Sequence, residues 1–180
     1  MMTFLQQCRA SAAIGRGDYS GAAQLYTTML HVHPSDTFAE SMLALCNARL
    51  GRHDVAIATA VRLLEKKPAS RPLLRLLTEC YVATGDYEQA YRFAGLALSA
   101  PPLERPPLWS LALLRLPLEL LAWSRGRNVA KVRRELRADS WIDHDRQWTE
   151  WAIGFKRWYD AQRNHDAPNP PVHPTGPAGG

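Results

Sequence analysis

Four groups of residues have types that do chemistry. Asp143, His144 and Asp145 set an imidazole between two carboxylates, the materials of a general base or a metal ligand set. Adjacent helical positions point in different directions, so this trio reads as a solvated helix start rather than a shared centre. His31 and His33 flank Val32 and offer two nitrogens to a metal, but nothing in the sequence supplies the further ligands such a site needs. Cys8, Cys46 and Cys80 contain no Cys-x-x-Cys pair, and Cys46 and Cys80 read as small packing positions. Arg125, Arg127, Lys131, Arg133, Arg134 and Arg137 fall within thirteen residues. Arg127, Lys131 and Arg134 share one helical face that suits a phosphate backbone or an acidic protein, although charge runs are usually solvated faces. No glycine-rich phosphate loop is present. The expectation is a protein that is not an enzyme and uses no cofactor and no metal.

The elements that would position any site must come from 180 residues, 46% of them apolar and 22% charged, with a net charge of +5. That balance excludes a wholly disordered polymer or a fibre and suggests one compact body. Arginine outnumbers lysine 18 to 4, and with abundant alanine this hints at a GC-rich bacterial source. Residues 1–17 lack the apolar run of a secretory signal, and Leu108–Trp123 is interrupted by Arg115, Pro117 and Glu119, so no membrane span is expected. An odd number of scattered cysteines fits a reducing compartment, and the cytoplasm is the expected location.

The strongest signal is self-similarity. Gly17, Gly51 and Gly85 are 34 residues apart, and in the same register recur Tyr19, His53 and Tyr87, then Ala22, Ala56 and Ala90. Leu30, Leu64 and Leu98 follow, then Pro34, Pro68 and Pro102. Each unit reads as two antiparallel helices. In the third, Ser70 is placed to cap a helix with Pro72 in its first turn, and Leu73, Leu76, Leu77 and Cys80 form its apolar face. Gly85 ends that helix where the corner needs positive φ, and Asp86 caps the next. The small alanines let neighbouring helices approach closely, which requires adjacent units to stack.

The resulting plan is an α-solenoid body over residues 1–165, with repeats at about 3–36, 37–70 and 71–104 and a degenerate unit at 105–138. That unit would be bent at Pro117 and turned at Gly126. A terminal helix over 140–164 carries Trp141, Trp148, Trp151, Phe155, Trp158 and Tyr159 on one side. It suits a lid over the last pair, or an interface to a partner or a second copy of the chain through Trp148, Trp151, Phe155 and Trp158. Residues 166–180, rich in proline and glycine, are expected to be a disordered tail.

This pattern of 34-residue helix–turn–helix units resembles the tetratricopeptide repeat (TPR) family. The resemblance implies an all-α solenoid whose first helices line an inner wall that holds a peptide or helix of another protein. Projected onto this sequence, the wall carries Phe4, Gln7, Ser11 and Ile14, then Phe38, Ser41, Leu45, Ala48 and Arg49, then Arg75, Glu79 and Val82, with Trp109 and Leu113 closing it. Phe38, Leu45, Val82 and Trp109 would give apolar anchorage, and Arg49 and Arg75 would set polarity. The family's clamp for acidic chaperone tails is not matched: its positions hold Gln7, Ser11, Met42, Pro72 and Leu76, which cannot neutralise a doubly charged terminus. The size and plan are similar to those of the small TPR chaperones of bacterial secretion systems. The expected function is therefore an adaptor or cargo chaperone for another protein, with a nucleic-acid-associated protein using the helix of 125–137 as the different-class alternative.

Overall fold

A computed structural model describes residues 2–101 and 139–163 together with Pro171. Among these residues there are seven α-helices and no strand: α1 (Met2–Gly15), α2 (Tyr19–Val32), α3 (Thr37–Arg49), α4 (His53–Lys66), α5 (Arg71–Thr84), α6 (Tyr87–Ser99) and α7 (Asp139–Arg163). The chain divides into two compact units, one of residues 1–101 with 155–168 and the other of 102–154 with 169–180. The degenerate repeat at 105–138 lies outside the described residues, as does the tail apart from Pro171.

Three helical pairs follow one another in the first unit, and their corners are alike. Gly17, Gly51 and Gly85 have φ of 78°, 76° and 81°, a left-handed conformation that any side chain would strain. At each corner the glycine N–H donates to the carbonyl three residues earlier, on Ile14, Ala48 and Val82. Asp18 then accepts from the Gly21 N–H at 2.8 Å, and Asp86 from the Gln89 N–H at 3.1 Å. Asp36 caps α3 in the same way through the N–H groups of Phe38 and Ala39. Ser70 departs from expectation: it stands at the start of α5, but its side chain makes no capping bond. Pro72 has no N–H to give it, and the Leu73 N–H is already bonded to the Ser70 carbonyl at 3.0 Å.

The repeated alanines build the core. Ala22, Ala56 and Ala90 are all fully buried, and so is the next column of Tyr26, Ala60 and Ala94. One apolar cluster joins Ala10 and Ala13 of α1, Ala22, Tyr26 and Met29 of α2, and Ala39 and Cys46 of α3. A second joins Ala44 of α3 to Ala56, Ala60 and Leu63 of α4 and to Leu73, Leu76, Leu77 and Cys80 of α5. Helix α3 therefore packs on two sides, which explains why its sequence shows no clean apolar stripe. Tyr81 and Phe93 stack with ring centroids 5.5 Å apart and tie α5 to α6.

The last turns of α7 belong to the same unit, and rings hold them to α6. Trp158 meets Tyr87 edge-on at 5.3 Å, Phe155 meets the same ring at 6.4 Å, and Tyr159 meets Tyr91 at 5.0 Å. The Lys156 ammonium sits 3.7 Å from the centre of the Tyr91 ring. Gly95 leaves it room, since a Cβ there would stand 3.2 Å from Lys156 Nζ.

Candidate interaction surface

The first helices of the second and third pairs carry most of the residues that the repeat register assigns to the inner wall. Along α3, Phe38, Leu45 and Arg49 succeed one another at spacings that keep one face, and Arg75, Glu79 and Val82 do so along α5. The structure brings Arg49 and Glu79 together: Arg49 Nη2 lies 3.2 Å from Glu79 Oε2, an ion pair from one first helix to the next. Arg75 and Val82, one turn to either side of Glu79, are half-buried.

The apolar members differ from one another. Phe38, in the first turn of α3, is 46% exposed. Leu45 is half-buried because it packs on the second apolar cluster, as does Ala48. In the first pair, Gln7 is half-buried, Ser11 is exposed, and Ile14 packs on the first cluster. The side chain of Phe4, the whole of Trp109 and Leu113, and the basic trio Arg127, Lys131 and Arg134 lie outside the described residues.

The four aromatics offered by the sequence as a second interface, Trp148, Trp151, Phe155 and Trp158, are all buried. Phe155 and Trp158 pack on Tyr87, whereas Trp148 and Trp151 lie in the other compact unit with their ring centroids 6.1 Å apart. Among the residues that α7 leaves exposed alongside them are Gln147, Glu150, Ile153, Arg157 and Asp160.

The groups considered for chemistry are placed as follows. Burial pushes the Cys46 thiol up to about 11 and the Cys80 thiol up to about 12, with Glu79 adding to the latter and Arg49 opposing it. Both stay protonated near neutral pH, and Cys8 is exposed. His31, His33 and His144 are exposed, and among the described residues no three of His, Cys, Asp or Glu come together as a metal site. No helix among them is long and apolar enough to cross a membrane.

Sequence reasoning missed several functional-looking side chains. Arg71 is buried and donates from Nη1 to the carbonyls of Ala97 and Ala100 at 3.0 and 3.2 Å, closing the open end of α6. Its signal was present: a cation in the first turn of a helix faces the wrong end of the dipole unless it reaches elsewhere. Glu40 of α3 pairs with Arg62 of α4, and the Trp151 indole bonds to Pro171.

With that geometry in place, the chain is similar in structure to the Sgt2 TPR domain from Aspergillus fumigatus. The TM-score is 0.56 at 18% sequence identity, over 98% of this chain and 92% of that one. The fold is an all-α solenoid of the TPR type. No protein-family model matches the chain, and no curated protein does.

Proposed function

We propose that the chain is a non-catalytic adaptor or cargo chaperone that takes a peptide segment or helix of another protein on the face shared by α3 and α5. The observation that carries this reading is the Arg49–Glu79 pair between consecutive first helices, 3.2 Å long, with the ring of Phe38 exposed on the same helix as Arg49. An apolar side chain of the partner would cover Phe38, while the charge pair would fix the direction of the incoming segment. Arg75, half-buried a turn before Glu79, would add to that polarity. Leu45 and Val82 offer only their outer edges, because both are half-buried. Three unpaired cysteines support a reducing setting such as the cytoplasm.

The test is affinity capture from the native cell, compared between the wild type and two variants. Phe38→Asp removes an anchor worth about 1.5–3 kcal/mol and should weaken capture roughly 10- to 150-fold with helicity retained. Exchanging the charges, Arg49→Glu with Glu79→Arg, keeps the pair but reverses its direction and should change which partners are held. Leu45→Glu is a poor probe, since it would also strip packing from the second cluster. Capture that survives both variants sinks the reading.

A further inference from the structure

We propose that the outer side of α1 holds an acidic segment of another protein, with two carboxylates on Arg9 and Arg16 and an apolar side chain between them in the cleft that α1 forms with α2. This site is separate from the face of α3 and α5. The cleft has a volume of about 300 Å³ and is lined by Arg9, Ala12, Ala13 and Arg16 of α1 and by Leu25 of α2. Ala13 is buried and Leu25 half-buried, so the lining between the cations is apolar. A space of this size takes a few side chains rather than a whole helix.

The repeat register marks this side of α1 as a contact face. In that register Arg9 corresponds to Leu43 and Leu77, and Ala12 to Cys46 and Cys80. Leu43 and Cys46 pack on the cluster of the first pair, and Leu77 and Cys80 on that of the second, so a first helix meets the pair before it through these positions. On α1 they are exposed, and a cation stands where the later helices carry leucine. An apolar helix laid there would desolvate that guanidinium without compensation, whereas a carboxylate accepts two parallel N–H bonds from it. Among the described residues neither Arg9 nor Arg16 has an ion pair. Asp18 is the acid in the lining, and its Oδ1 already accepts from the Gly21 N–H at 2.8 Å, which leaves a positive excess. Arg9 and Arg16 stand about 10 Å apart along the helix axis. Residues i and i+3 of an extended segment with three residues per turn share one side at about 9 Å, close to that separation. Nucleic acid fits less well, because its phosphates bring no apolar group for Ala13 and Leu25.

The experiment titrates the capped peptide acetyl-Glu-Leu-Ala-Glu-amide into the full chain and follows the Arg9 and Arg16 Nε–H groups and the Leu25 amide by NMR. Saturable shifts with a Kd in the millimolar range are expected. Arg9→Gln with Arg16→Gln should weaken binding roughly two- to thirtyfold, the effect of two exposed ion pairs. Ala12→Glu, on exposed helical surface, sets a carboxylate of the chain's own within one turn of both arginines, and should weaken the peptide by a similar factor with helicity retained. Equal binding of the peptide with glutamine in place of both glutamates overturns the proposal, as does unchanged binding in the double arginine variant. No response at about 10 mM peptide overturns it too. Tighter binding of a thymidine oligonucleotide at the same resonances assigns the cleft to phosphate and likewise overturns it.

Discussion

Between α1 and α6 the helices meet around recurring buried alanines, with Tyr81 and Phe93 stacked beside them at α5 and α6, whereas the last turns of α7 meet α6 chiefly through rings. Ala22, Ala56 and Ala90 have no exposed surface at all, so the backbones at these joints stand close and each depends on the same geometry as the next. At the other joint Tyr87 and Tyr91 face Phe155, Trp158 and Tyr159, and the gap is filled by side chains that turn and tilt to fit. Small residues force a spacing and hence a period. Large residues adapt to whatever spacing arises, and they leave no period behind.

Substitutions can break or sharpen this contrast. Phe155→Ala, at a fully buried ring, should cost about 3–5 kcal/mol in urea unfolding. A loss below about 1 kcal/mol would mean that the ring joint is loosely held and the comparison fails. Ala56→Leu should cost about 1–3 kcal/mol by overpacking an alanine joint, read as a lower thermal midpoint. Asp86→Ala should cost about 1 kcal/mol through the lost cap on α6. Ser70→Ala should be near neutral, since that hydroxyl caps nothing. The smallest effect belongs to Gly95→Ala. About 1 kcal/mol of helix propensity is gained while Lys156 is displaced from Tyr91, and the two nearly cancel.

The same contrast explains what could be read from the chain alone. The corners were legible because one conformation, positive φ at Gly17, Gly51 and Gly85, admits essentially one residue type, and it recurs every 34 positions. The terminal helix was legible from its aromatic face: 140–164 was expected, and α7 runs from Asp139 to Arg163. Ser70 misled, because its type fits a cap but the proline two residues on removes the N–H a cap would take. The surface was less legible. Register placed Arg49 and Glu79 on adjacent helices but could not show them paired, and it placed Leu45 on the wall without showing that its other side serves the core. Arg71 and the Trp151 bond to Pro171 depend on contacts across 26 and 20 positions or more, which no local pattern encodes.

Arg71 also sets a minimum length for the three-pair body. Its guanidinium is enclosed, and two of its acceptors are the carbonyls of Ala97 and Ala100. A fragment ending before Ala97 would keep nearly all of the apolar clusters yet strand a cation without those oxygens, at about 1.5–3 kcal/mol for each bond lost. The three pairs are thus held to a length by polar bonds as well as by apolar area, and the chain must run through Ala100 for Arg71 to keep both of these acceptors.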